Sequence, residues 1–97
     1  MFVVTLTYTA PIERIDELIV EHRAWLDRLF EDGVLLASGP QVPRLGGVLL
    51  ARAGDRAALE QVLTGDPFHR EGVAIYDLME FQPIKTAPEL DSLRVSL

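Results

Sequence analysis

Two side chains have the types and surroundings for proton transfer, His22 and Asp66. His22 falls in a run where Leu18, Ile19, His22, Trp25, Leu26 and Leu29 lie 3, 4, 7, 10, 11 and 14 residues beyond Ile15. Those offsets form one stripe on a helix turning about 100° per residue. Such a position ordinarily takes Leu or Ile, and burying an imidazole without a partner costs roughly 1–3 kcal/mol. The ring therefore needs a hydrogen-bond partner, or it lines a pocket. A carboxylate would fix its tautomer and hold it ready as a base. Asp66 is the candidate, at a chain reversal between Gly65 and Pro67. Asp before Pro also reads as a helix cap. The two roles are compatible, since one carboxylate oxygen can accept a backbone N–H while the other faces the imidazole. The plain alternatives are a histidine merely satisfied in the core and an aspartate that only caps.

Around this pair the candidate substrate contacts are Ser38, Gly39, Trp25 and Phe68. Ser38-Gly39-Pro40 reads as the end of a strand. Its hydroxyl could enter a cleft, and its glycine permits close approach of a ligand or a second chain. Ser38 has no G-x-S-x-G around it and so no mark of a nucleophile. Trp25, three residues from His22, is either core or the floor of a pocket beside the imidazole. Phe68 follows Asp66 and Pro67. His69 lies in a polar stretch and reads as solvated. The two histidines have no metal-ligand spacing, and Gly46-Gly47 opens a strand rather than a phosphate-binding helix. Neither a metal nor a cofactor is expected.

The elements that must carry these residues follow from periodicity. Phe2 to Tyr8 alternate, with Phe2, Val4, Leu6 and Tyr8 on one side, which predicts a strand. Pro11 suits the first turn of a long helix that Gly33 closes. Val34 to Ala37 and Val48 to Ala51 predict a hairpin whose connection contains QVPRL. Asp55 caps a second helix with Leu59, Val62 and Leu63 inward, and Pro67 starts a further helical turn. Val73 to Phe81 is the last strand, after which Pro83 and Pro88 break regular structure. The order β-α-β-β-α-β predicts an α+β, ferredoxin-like fold, with a four-stranded antiparallel sheet and both helices on one face.

At 97 residues the chain has room for one domain. We read it as a domain over 1–84 and a C-terminal tail over 85–97 that is loose or docks on a partner. Fifteen acidic residues against nine basic ones disfavour nucleic acid and anionic membrane surfaces as partners. No cysteine is present, so disulfides and thiolate chemistry are excluded. The apolar runs fall well short of the ~20 residues of a membrane span, and the N-terminus lacks a basic signal region. A cytoplasmic location is the default expectation. Two helices cover one sheet face only, yet the two VLLA segments do not alternate. Apolar side chains should therefore project from the open face, and a homodimer packed sheet on sheet is the expected remedy.

The sequence resembles the YCII-related (YciI-like) family. The match rests on HRAWL at 22–26, the Asp-Gly at 32–33, ASGP at 37–40 and GDPF at 65–68, in that order and spacing. The resemblance implies a ferredoxin-like protomer of the dimeric α+β barrel type, with a cleft holding a paired histidine and aspartate. On this chain those are His22 and Asp66. Through the family's likeness to muconolactone isomerases and its dehydrochlorinating relatives, it implies acid–base chemistry without a cofactor. Isomerisation or HX elimination on a small cyclic or aromatic-derived substrate is the expectation. The alternative is a non-catalytic module that binds a small ligand or dimerises.

Overall fold

The computed structural model of the chain describes residues 1–96. Four strands, β1 (Phe2–Tyr8), β2 (Leu35–Pro40), β3 (Gly46–Ala51) and β4 (Ala74–Glu80), are joined by helices α1 (Ile12–Glu31), α2 (Arg56–Leu63) and α3 (Pro67–Arg70). The sheet order is β2-β3-β1-β4 and every pairing is antiparallel. This is the expected ferredoxin-like α+β arrangement.

Local chemistry sets the ends of the elements. Pro11 is the N-cap of α1, one residue earlier than expected, and its carbonyl accepts from the Arg14 and Ile15 amides. Gly33, at φ 76°, turns the chain out of the helix, and the Val34 amide returns to the Leu29 carbonyl. The Asp55 carboxylate accepts from the Ala58 amide at 2.7 Å and so caps α2.

The second strand departs from expectation. Ser38-Gly39-Pro40 does lie at the end of β2, but instead of stopping the strand after Ala37 it forms the paired second half, opposite Leu49, Val48 and Gly47. An edge strand tolerates this, because proline's missing N–H can face away from the ladder. The register shifts between Leu35 and Ala37, which accounts for the run of apolar residues that failed to alternate. In β3 alternation survives. Leu49 is buried while Val48 and Leu50 face the other side. Gly46 is required there, since a Cβ would lie 1.7 Å from the Leu6 carbonyl oxygen.

The core lies between the sheet and the helices. Phe2, Val4, Leu6, Leu35 and Leu49 from the strands meet Ile15, Leu18, Trp25, Leu29, Leu59, Leu63 and Phe68. The opposite face carries Val3, Thr5, Thr7, Val48, Leu50, Ile75, Asp77 and Met79. Ile75 and Met79 are 58% and 60% exposed. Apolar side chains therefore do project from the open face. The tail also differs from expectation. Pro88 opens a 3-10 helix over Pro88–Leu93, as a proline can at a first helical position, and the Val95 amide returns to the Pro83 carbonyl. Leu97, the last residue of the tail, lies outside the described residues. Among the described residues no helix is long and apolar enough to cross a membrane.

Candidate active site

The stripe Ile15, Leu18, His22, Trp25 and Leu29 is the buried face of α1. It presents His22, 8% exposed, to the N-terminus of α3. There Asp66 is the N-cap, with no exposed surface. His22 Nδ1 lies 2.8 Å from Asp66 Oδ1. The imidazole stacks on Phe68, with centroids 4.0 Å apart and planes 7° from parallel. The structure thus brings together the two residues that sequence reasoning paired.

It divided the carboxylate differently from the structure. One oxygen, Oδ1, takes both the imidazole and the Phe68 amide, the latter at 3.0 Å. The second, Oδ2, accepts from the Tyr76 hydroxyl at 2.5 Å. Tyr76 was missed. It lies on the inward side of β4, opposite Leu6, where the only sequence signal is a phenol in phase with Ala74 and Leu78. All three partners can donate, as an acceptor-only carboxylate requires. A bond to that carboxylate calls for a proton on His22 Nδ1. Burial, followed by the hydrogen bond to Asp66, pushes the Tyr76 phenol well above its ordinary range, and the His69 backbone opposes this. The phenol is thereby held in its protonated, donating form. His69 is exposed, as expected, and its ring lies 5.7 Å from that of Tyr76.

Among the described residues no buried side-chain nitrogen or oxygen lacks a partner. With Nδ1 committed to Asp66, Nε2 is the ring nitrogen left for the groove that His22 lines. This groove, about 490 Å³, lies between α1 and the β1–β3–β2 side of the sheet. Leu6, Leu49 and Phe68 line it from the core, while Ser38, Gly39 and Pro40 border it along β2. Three of the four expected substrate contacts therefore reach it. A Cβ on Gly39 would meet nothing within 4 Å, so packing within the chain does not require glycine at this position.

Trp25 is the exception and does not line the groove. At about 100° per residue it lies some 60° round the helix from His22. Ile19, Arg23, Leu26 and Phe30, which do line the groove, lie on the opposite side. Trp25 instead packs under Gly65, where an added Cβ would come within 3.2 Å of its Nε1. Arg44 was also missed. It hangs from the β2–β3 loop at one end of the groove, bonded to Asp16 at 2.8 Å and 5.9 Å from the centre of the Tyr8 ring.

The element order, the antiparallel sheet and the groove beside α1 define the class as a ferredoxin-like α+β domain. Within that class the chain belongs to the YCII-related domain family, whose model matches residues 1–82. No curated protein matches it. Among solved structures it is similar to 5-chloro-2-hydroxyhydroquinone dehydrochlorinase (TftG) from Burkholderia phenoliruptrix AC1100, in complex with 2,5-dihydroxybenzoquinone. The TM-score is 0.66 at 19% identity, covering 84% of this chain and 94% of that one. At this identity the likeness shows a shared fold.

Proposed function

We propose that the groove is the active site of a small-molecule enzyme in which His22 is the general base. Nε2 takes a proton from a carbon next to a carbonyl or enol. The freed electron pair forms a new double bond and either expels a halide or is reprotonated elsewhere on the ring. Asp66 keeps Nε2 as the free lone pair and compensates the imidazolium that forms. Phe68 holds the ring from behind, and Ser38 and Gly39 contact the substrate. As β2 is an edge strand, alternate backbone N–H groups face away from the ladder, and since Pro40 has none, the Ser38 N–H is the one this segment offers to a developing oxyanion. The observation that carries this reading is the 2.8 Å pair at the wall of an open groove. That a protein of this fold is named a dehydrochlorinase supports elimination as one outcome.

The test is turnover and binding with a panel of hydroxylated and halogenated small rings, read by NMR and halide release. His22→Ala and His22→Gln should lose about 10²-fold or more in kcat while remaining folded. A substituted enzyme as fast as the parent removes His22 from the mechanism. Saturable binding without conversion across the panel would favour a binding module instead.

We further propose that two copies pack through the open sheet face. Val3, Val48, Leu50, Ile75 and Met79 make it apolar, with Asp77 the charged residue among them. Such a surface is costly for a monomer to leave in water. Sedimentation at micromolar concentration should show a dimer, and Met79→Glu should yield monomers. A monomeric parent protein at that concentration would defeat the proposal.

A further inference from the structure

We infer that Tyr76 is a positioning residue for the His22 base, acting through Asp66 rather than touching substrate. The assignment rests on the reading of His22 as a base. Tyr76 is absent from the groove lining, so its hydroxyl has no route to a bound molecule except through the carboxylate it holds.

The geometry gives it a specific task. A carboxylate turns easily about its last side-chain torsion, which is broad and roughly two-fold. Two donors, His22 Nδ1 and the Phe68 amide, share Oδ1 and leave the plane of the group free to rock about that oxygen. The 2.5 Å bond from Tyr76 to Oδ2 removes that freedom. It also ties Asp66, the cap of a four-residue helix, to β4, which pairs along its whole length with β1. A short turn is a soft mount, and a paired strand is a stiff one. With Oδ2 released, the carboxylate can swing and share its oxygens differently, and the bond that selects the Nδ1–H tautomer weakens. Other ionisable groups line the groove with His22, namely Asp16, Arg23 and Asp27 from α1 itself, Tyr8 from β1 and Arg44 from the β2–β3 loop, and His69 flanks Tyr76. No side chain among them makes a hydrogen bond with His22 or Asp66, and the His69 amide donates to the Asp66 backbone carbonyl at 2.9 Å.

The experiment is nitrogen-15 NMR of the histidine rings in the full chain, parent and Tyr76→Phe. The parent should show one neutral His22 tautomer, protonated on Nδ1. Tyr76→Phe should show a mixture with the Nε2–H form. With a substrate in hand, its kcat should fall about tenfold or more while KM stays within about twofold, as expected when a base is misoriented and binding is not. A bond that merely cements α3 to β4 would alter stability and leave the tautomer unchanged. An unchanged His22 pattern in folded Tyr76→Phe overturns the inference.

Should that variant fail to fold, the parent protein still decides. Its Tyr76 hydroxyl proton should appear as a slowly exchanging downfield resonance coupled to the Tyr76 ring, and its absence also overturns the inference. These readouts need no substrate. A shifted tautomer in Tyr76→Phe alongside full activity in His22→Ala would sink the base and keep the tether.

Discussion

Helix α1 is tied to the α3 segment in two settings, by one pair in the interior and by two in water. Inside, His22 meets Asp66 at 2.8 Å, with side chains 10% and 0% exposed. Outside, Arg14 meets Glu71 at the same 2.8 Å, and Arg70 meets Glu21 at 3.1 Å. The lengths barely differ, but the surroundings do. The outer pairs hold flexible chains in place against solvent and salt, and pairs of that kind contribute little. The inner pair has no water to fall back on, and both Asp66 oxygens are committed to donors. An N···O distance therefore says little about what a pair does. Burial decides it, and here the buried pair is the one that borders a groove.

The sharpest way to break this comparison is to delete the inner acceptor. Asp66→Ala strands the Tyr76 hydroxyl, the Phe68 amide and His22 Nδ1 together. Removing one partner of a buried pair and a helix cap with it should cost about 3–5 kcal/mol, measured by urea denaturation. A loss as small as that of a surface substitution would mean that water reaches Asp66 and that the two ties are alike. Asp66→Asn sharpens the same point. Its amide oxygen can still cap α3, but its NH₂ group cannot accept from Tyr76. It should recover part of the lost stability and little of the lost turnover.

The inner tie was half legible in the sequence, and the reason is physical. A histidine in a stripe of Ile, Leu and Trp has to be satisfied by something, and Asp66-Pro67 offers a carboxylate held by a rigid turn. Local patterns of this kind also predicted α1, α2 and the order of elements along the chain. What stayed hidden depends on register and rotation. Tyr76 reaches Asp66 only because β4 pairs with β1 so that Tyr76 falls opposite Leu6 on the helix side. Trp25 shares a stripe with His22, yet it turns toward Gly65 because the groove opens on the other flank of the same helix. Arg44 comes to the groove from a loop whose path no periodicity describes. The continuation of β2 through Pro40 required knowing that β2 is an edge.

The gentlest probe of the comparison is Glu71→Gln, which weakens the outer tie without touching the inner one. The Arg70 guanidinium beside Glu71 holds its carboxyl below the usual range, and Arg14 adds to this. A carboxyl lowered in the folded state stabilises the fold only above its unfolded pKa, and it loses that contribution as pH falls through the folded value. Any gap between the parent and Glu71→Gln should therefore be seen at neutral pH and close on acidification below the ordinary glutamate range. It should also close in molar salt, where the screening length is about 3 Å. Urea midpoints measured at neutral and acid pH, with and without salt, provide the check. We expect a small difference in the first condition and coincidence in the others, with the His22 tautomer the same in parent and variant at neutral pH. A gap that persists in salt would show that the outer pairs also act in a low-dielectric setting, and the contrast between the two ties would then have to rest on the groove alone.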